Sequence, residues 1–167
     1  MRHHDVIERI AEAARIAVTF EQLGSAVAAE LGAIIPMDRM NIGLINIDGY
    51  VFTDAFVTGR NVPGRAIGHM RTLSATVVEA GMKAGGGIVI GDEPPGQLLE
   101  RFPRLQSTLE TGIRSMIAVT LKSNGKVEAA LVLASTLRSA YTAVDLVMVR
   151  CIGAAIVDRI VALRDGV

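Results

Sequence analysis

The chain has 167 residues, half of them hydrophobic, and its 17 basic and 17 acidic side chains give a formal net charge of zero. A chain of this length can bury a core of its own as one compact domain, while zero net charge, 4% aromatic residues and the lack of Trp disfavour nucleic-acid binding. One cysteine excludes an intramolecular disulfide and a multi-cysteine zinc site, and no uncharged segment approaches the roughly 20 residues of a membrane span. We therefore expect a cytoplasmic protein, or the cytoplasmic part of a larger one, that binds neither nucleic acid nor a membrane.

The first part of the chain predicts two helices. Residues 6–18 have the spacing of an amphipathic helix, and its apolar stripe consists of Val6, Ile10, Ala14 and Ala17. Thr19 and Gln22 have the spacing of a capping box, so a second helix is predicted to begin there and to end before Pro36. The boundary between the two helices is either a true break or only a kink.

A β-hairpin is predicted next. Asp48 and Gly49 are the residues that a two-residue type I′ turn requires. Apolar residues alternate with other types on both sides of this turn, at Met40, Ile42, Leu44, Tyr50, Phe52 and Phe56. Strict alternation places Phe52 and Phe56 on the same face of the second strand. Residues 59–71 are rich in Gly, Pro and basic side chains and predict a surface loop.

The middle of the chain predicts short elements. Ser74 opens a helix over residues 75–83, which ends at three consecutive glycines before a short strand at residues 88–90. The glycines do not form a dinucleotide-binding loop, because they precede a strand and Ile90 occupies the position of the last required glycine. Pro103 and Gly112 suit the first and last positions of a further helix.

The last third predicts a second hairpin and a long helix. Asn124 and Gly125 join β-rich runs at residues 115–121 and 127–134, and the second run is apolar on both faces except at Glu128, which is typical of a central strand. Thr142 caps a helix that runs to about Leu163 and has no broad polar face, so it is expected to bury two sides. This order of elements favours an α+β fold in which the terminal helices pack together on one face of an antiparallel sheet.

Three segments of the last third resemble motifs of GAF domains, sensory relatives of the PAS fold. They are residues 112–119 (GIRSMIAV), residues 126–131 (KVEAAL) and residues 141–145 (YTAVD). The resemblance extends over residues 20–163. It departs from the family pattern at Thr120, where Pro is common, and at Ala129 and Ala130, where Gly is common.

The resemblance implies an antiparallel sheet of about five to six strands, with the terminal helices on one face and a cavity enclosed by a loop and a short helix on the other. It divides the chain into a signalling and dimerisation helix at residues 1–18 and a GAF domain at residues 19–164. In such a fold the loop over residues 59–73 covers the cavity, and its basic side chains could meet an anionic ligand. The residues expected to bind a ligand are Asn41, Phe52, Phe56, Arg65, His69, Arg71, Arg114 and Ser115. Core packing explains the two Phe residues equally well, and a solvated basic loop explains the charges.

The sequence argues for binding rather than catalysis. Cys151 is expected to be a small buried residue of the last helix. Bilin-binding relatives attach their chromophore through a cysteine that His commonly follows, whereas Ile152 follows here, and GAF-type methionine sulfoxide reductases need more than one cysteine. The cyclic-nucleotide signature of the family is absent near Asn61. We predict no catalytic or metal-binding residue, and the sequence identifies no cofactor.

Three functions follow from the resemblance. The first is a non-enzymatic sensory module that binds a small molecule and signals through its terminal helices, in a histidine kinase, a diguanylate cyclase or a transcription regulator. The second is a module that only dimerises and transmits, with side chains filling its cavity. The third, less favoured, is an enzyme such as a methionine sulfoxide reductase. The apolar stripe of the first helix and the last helix's lack of a polar face predict a homodimer.

Overall fold

The computed structural model describes residues 3–166, which form six helices, one 3₁₀ turn and six strands. The helices are α1 (His3–Ile16), α2 (Phe20–Gly32), α3 (Val77–Lys83), α4 (Pro95–Arg101), α5 (Gln106–Glu110) and α6 (Ala143–Asp165), with the 3₁₀ turn at Pro103–Leu105. The strands are β1 (Arg39–Asn46), β2 (Val51–Gly59), β3 (Met70–Thr72), β4 (Gly87–Ile90), β5 (Ser115–Ser123) and β6 (Lys126–Ser135).

All six strands form one antiparallel sheet in the order β3-β2-β1-β6-β5-β4. The prediction of a central strand at residues 127–134 is confirmed, because β6 lies between β1 and β5 and is buried over most of its length. The sheet consists of two local meanders, β1 to β3 and β4 to β6, and the pairing of β1 with β6 joins them. The predicted α+β fold with an antiparallel sheet is confirmed.

One face of the sheet carries α1, α2 and α6, as predicted for the terminal helices. Thr19 separates α1 from α2 as a true break, and its hydroxyl accepts a hydrogen bond from the backbone N–H of Gln22. The stripe of α1 packs into the core of its own chain, where Val6 and Ile10 are fully buried. The stripe therefore leaves no exposed apolar patch for a partner, and this part of the reasoning for a homodimer was wrong.

Helix α6 begins as predicted at Thr142, which forms a capping box with Asp145. Its buried side follows two adjacent rows of residues, namely Met148, Val149, Ile152, Gly153, Ile156, Val157 and Ile160. Cys151 lies outside these rows, on the exposed row of Val147 and Ala154, so the prediction of a buried cysteine was wrong. The helix buries one side against the sheet and α1, and it leaves apolar Val147 in solvent.

The two hairpin predictions have different outcomes. Asn124 and Gly125 both have a positive φ, of 52° and 78°, and form the predicted two-residue turn between β5 and β6. The first hairpin instead has four residues between Asn46 and Val51, with the positive φ at Tyr50. The side chain of Asn46 accepts a hydrogen bond from the N–H of Gly49, and this Asx-type turn replaces the predicted type I′ turn.

Candidate functional site

The face of the sheet opposite the helices contains a cavity of about 70 Å³. Strands β1, β2, β5 and β6 form its floor, while the loop over residues 60–69, α3 and the 3₁₀ turn enclose its sides. Helix α3 begins at Val77 instead of Ala75, because Ala75 has a positive φ of 62° and the Thr76 hydroxyl provides the N-cap. The apolar part of the lining includes Phe52, Val78, Phe102, Leu105 and Val132.

A β-bulge determines which side chains of β2 reach the cavity. Ile42 pairs with Phe56 but the next residue, Gly43, pairs with Asp54, so Ala55 is an extra residue in the strand. One extra residue reverses the inward and outward alternation of the strand. Phe52 therefore lines the cavity, whereas Phe56 packs in the helix-side core against Gly24. The prediction that the two rings share a face was wrong, since it assumed unbroken alternation.

A buried carboxylate organises the floor of the cavity. The side chain of Asp54 is fully buried, and its two oxygens accept hydrogen bonds from Asn41 Nδ2 at 3.0 Å and from Arg71 Nη1 at 2.5 Å. The guanidinium of Arg71 also lies 4.8 Å from the centroid of the Phe52 ring, a cation–π arrangement. The ion pair and the ring thus fix the position of Arg71 at the cavity wall.

Arg39 is a buried cation that has no carboxylate partner. Only 6% of its surface is exposed, and its guanidinium donates to the backbone carbonyls of Arg60 at 2.9 Å and Arg65 at 2.6 Å. No Asp or Glu oxygen in residues 3–166 forms an ion pair with it. Burial lowers the pKa of Arg39, and the nearby negative charge of Asp54 partly opposes this effect. The side chain ties the loop over residues 60–69 to the first residue of β1.

Arg65 and Arg104 complete the basic lining. Arg65 Nη2 donates to the backbone carbonyl of Arg104 at 3.1 Å, which connects the loop to the 3₁₀ turn. Burial lowers the pKa of Arg65, and the positive charge of Arg71 lowers it further. Arg39 and Arg65 also border a second, open groove between the end of β2 and the loop, so these two side chains lie close to solvent.

The structure brings together four of the eight predicted ligand-binding residues. Asn41, Phe52, Arg65 and Arg71 line the cavity. Phe56 faces the helices, as described above. The remaining three lie away from the cavity lining, at His69, Arg114 and Ser115.

Each of these three residues has a local structural role. His69 is exposed, and its Nδ1 accepts a hydrogen bond from the N–H of Ala66 within the loop. Arg114 donates to the carbonyls of Leu109 and Ile113. The buried hydroxyl of Ser115 donates to the carbonyl of Leu137, which fixes the chain after β6. These side chains therefore satisfy backbone groups and do not extend into the cavity.

Sequence reasoning missed Arg39 and Arg104. The sequence did contain a signal for Arg39, because this residue stands directly before the alternating apolar residues of β1. A charged residue at the start of a buried strand needs a partner. Arg104 gave no such signal, because it lies in an irregular segment between Pro103 and Leu105.

Comparison with known proteins identifies the family. The sequence model described as "GAF domain" matches residues 19–160, which is most of the chain. The chain belongs to the GAF family. No curated protein sequence matches it.

Solved structures from several kinds of protein share this fold. The GAF domain of an Acinetobacter phosphoenolpyruvate-protein phosphotransferase superposes with a TM-score of 0.75 at 16% identity, over 98% of this chain and 96% of that chain. A free methionine-R-sulfoxide reductase from Neisseria meningitidis, in complex with its substrate, gives 0.73 at 16% identity, over 99% and 92%. A phycoerythrobilin-bound GAF domain of a cyanobacterial phytochrome gives 0.71 at 13% identity, over 98% and 96%.

Residues 3–166 contain neither a cluster of metal-ligating side chains nor a membrane-spanning helix. In the part of the chain that the structure describes, no three His, Cys, Asp or Glu side chains come together as a metal site. None of the helices within residues 3–166 is both long and apolar enough to cross a membrane.

Proposed function

We propose that this GAF domain is a sensory module, which takes a small molecule into the cavity and transmits its presence to α1 and α6. The observation that supports this proposal is the position of the cavity. It lies on one face of the sheet while the chain's terminal helices pack on the other, so a ligand and an attached output domain would contact opposite sides of the same strands.

Strand β6 offers a direct physical connection between the two faces. Val132 and Ala134 line the cavity, and the alternating Leu131 and Leu133 pack in the core with the helices. A ligand that shifts β6 by a fraction of an ångström changes the packing below α6, because close-packed cores transmit strain. Signalling further requires that the ligand bind one helix arrangement more tightly than another.

Kinases, cyclases and transcription regulators are the proposed settings of such a module. Among solved structures, the GAF domain of a two-component sensor histidine kinase from Bacillus halodurans shares the fold with a TM-score of 0.73 at 12% identity, over 89% of this chain and 97% of that chain. This likeness supports the setting at the level of the fold alone.

Native mass spectrometry and hydrogen exchange test the proposal together. A ligand retained through purification adds mass to the native ion and dissociates on denaturation. Adding this ligand back to the ligand-free protein should change amide hydrogen exchange in α1 and α6. Val132→Phe fills the cavity from its floor and should abolish both effects, whereas Leu137→Phe in the exposed loop before α6 should keep both. Ligand binding without any change in the helices would contradict the transmission role.

A dimerising module is the second candidate, and an exposed surface of α6 favours it. Val144 and Val147 are 63% and 61% exposed, and Cys151 and Ala154 continue the same row at heptad spacing. We propose that a second copy of this chain covers this row. The two roles are compatible, since a dimer through α6 would place both output segments at one interface.

Thiol-based catalysis is not proposed for this chain. The GAF fold does occur in methionine sulfoxide reductases, and one from Staphylococcus aureus gives a TM-score of 0.71 at 12% identity, over 95% of both chains. However, the one cysteine of this sequence, Cys151, lies on the exposed row of α6 and is not part of the cavity lining. A cavity ligand would therefore have no thiol beside it.

A further inference from the structure

The cavity has a large excess of positive charge. Four arginines line it, and they are Arg39, Arg65, Arg71 and Arg104. No Asp or Glu of the described chain is among the lining residues; the fully buried Asp54 is already bound to Arg71 and Asn41. Buried cations without an anion are costly, because transfer from water removes solvation that backbone carbonyls only partly replace. An anionic ligand would remove this cost.

The arginines also keep unused hydrogen-bond donors. Arg39 and Arg65 donate only to backbone carbonyls, and of the Arg71 guanidinium only Nη1 has a partner among residues 3–166. No fully buried side-chain nitrogen or oxygen of the described residues lacks a partner. The guanidinium nitrogens that have no partner at all, such as Nη2 of Arg71, therefore retain contact with solvent and are available to a ligand.

The charges of the cavity lie near one another, because those of Arg71, Arg104 and Arg39 all act on Arg65. Arg39 is hydrogen-bonded to the backbone of Arg65, and Arg65 in turn to the backbone of Arg104, so these three residues form one connected group. The rest of the lining includes hydrocarbon side chains such as Val78, Phe102 and Val132. Such a site fits a molecule with an anionic group at one end and a short apolar part at the other.

The volume limits the size of the ligand. An apolar cavity of about 150 Å³ accommodates benzene, which has six carbon atoms. By the same proportion, the 70 Å³ of this cavity hold about three non-hydrogen atoms, so part of a larger ligand would extend into the open groove that Arg39 and Arg65 also border. Guanidinium groups form paired hydrogen bonds with carboxylates and with phosphates alike, so size decides between the two. A carboxylate group has three non-hydrogen atoms and a phosphate has five, and the smaller group fits this volume better.

We propose that the cavity binds a compact carboxylate of the size of acetate or propanoate, with its oxygens on Arg39, Arg65 and Arg71 and its hydrocarbon part against Phe102 and Val78. This inference rests on the proposed sensory function and names the chemical class of its ligand. Arg39 and Arg65 also hold the loop over residues 60–69, so a bound carboxylate would link the loop to β1 through a second set of hydrogen bonds.

Titration with a charged and a neutral probe of the same shape tests the inference. Propanoate and propanamide are titrated separately at constant chloride concentration, and amide chemical shifts of β1, α3 and the loop are followed by NMR. We expect propanoate to bind and propanamide to bind at least about tenfold more weakly, because the amide cannot form charge-assisted bonds. Equal affinity for the two probes would overturn the inference.

Arginine variants connect the binding to the named side chains. Arg65→Gln should weaken propanoate binding about 10- to 100-fold, the usual loss for one desolvated charge-assisted bond. Arg104 is exposed, so Arg104→Gln should cost less because solvent screens its charge. Arg114→Gln is the matched control, since Arg114 lies outside the cavity, and it should leave the affinity unchanged. Arg65→Lys keeps the charge and should restore part of the affinity.

The outcomes also separate this inference from the sensory function. A neutral molecule found in the cavity, with hydrogen exchange in α1 and α6 responding to it, would overturn the carboxylate class and leave the sensory role standing. Propanoate binding that Arg65→Gln does not weaken would overturn the assignment of the site. Absence of binding by either probe, together with a native mass free of any ligand, would overturn both.

Discussion

Gly24 shows how a single residue sets the distance between a helix and the sheet. A Cβ atom at this position of α2 would lie 2.3 Å from the Phe56 ring, well inside contact distance. The ring can therefore pack closely against the helix only because residue 24 has no side chain. This packing also explains why Phe56 is unavailable to the cavity.

We predict that Gly24→Ala destabilises the protein by about 1–3 kcal/mol, the usual cost of overpacking a core, despite the better helix propensity of Ala. Gly96 in α4 is the matched control, because a Cβ there meets no atom within 4 Å. Gly96→Ala should be neutral or slightly stabilising. Chemical denaturation measures both values. Equal stability of the two variants would mean that α2 shifts freely away from the sheet.

Cys151 carries a prediction that reverses the one drawn from sequence. Because the side chain is exposed, Cys151→Ser should change the free energy of unfolding by less than about 0.5 kcal/mol, as is typical of surface substitutions. Urea denaturation under reducing conditions is the measurement, at a protein concentration low enough for light scattering to show a monomer. A loss above about 1 kcal/mol in the monomer would show that the cysteine is buried within its own chain.

Individual residues were predictable where the cause is local. The capping roles of Thr19 and Thr142 follow from side chains that bond to backbone three residues away, and both are confirmed. Phe56 and Cys151 were placed incorrectly, because their environments depend on a bulge and on which side of a helix meets the sheet. Neither property is encoded within a few neighbouring residues.

At the scale of elements, Asp38 connects the start of β1 to the end of β6. Its carboxylate accepts hydrogen bonds from the backbone N–H of Thr136 at 2.7 Å and from the Thr136 hydroxyl at 3.0 Å. The backbone bond lowers the pKa of Asp38 from its ordinary value of 3.8, and partial burial opposes this effect. Its own N–H donates to the carbonyl of Ala134, which completes the connection.

We predict that Asp38→Asn lowers stability by about 1–2 kcal/mol at neutral pH, a moderate value for a charge-assisted bond that is partly solvated. A carboxyl whose pKa is lowered by folding stabilises the protein at pH values above its unfolded pKa. This stabilisation is lost as the pH falls through the folded pKa. The difference between the two proteins should therefore shrink below about pH 3.8 and vanish at lower pH. Urea midpoints between pH 7 and pH 2.5 test this, and a constant difference would contradict it.

The order and type of the elements were largely predictable, whereas several boundaries were not. Helix periodicity, capping residues and the Asn124-Gly125 turn act locally, so these features are confirmed. Strand β3 was read as part of a loop, because its three residues acquire their conformation only by pairing with the edge of β2. The bulge at Ala55 likewise arises from the register between two strands, which a single strand's pattern does not show.

At the scale of the whole molecule, the exposed row of α6 leads to a prediction about assembly. If two copies pair through this row in parallel, their Cys151 side chains lie close to the symmetry axis. Mild oxidation should then join the two chains by a disulfide, as seen by gel electrophoresis without reductant. Light scattering at micromolar concentration should show a dimer before oxidation.

Charge placed on the row should prevent this pairing. Val147→Glu puts a carboxylate opposite its copy, so the protein should become monomeric and resist cross-linking. Leu137→Glu is the control, because Leu137 is 58% exposed and lies in the loop before α6. It should leave the dimer intact. A monomeric parent protein, or a dimer unaffected by Val147→Glu, would rule out this interface.

The single strand pairing that joins the two meanders has a consequence for the kinetics of folding. Within each meander the pairings are more local, the longest being that of Gly87 with Val119, whereas β1 and β6 pair residues such as Leu44 and Ala129. Closing so long a loop is entropically slow, so formation of this pair should be a late event.

The cavity spans the same junction, with Asn41 on one side and Val132 on the other. An occupant binds only after the halves have joined, and it should therefore slow unfolding without accelerating refolding. Stopped-flow folding with and without propanoate would measure both rates, and faster refolding would show instead that the junction forms before the transition state.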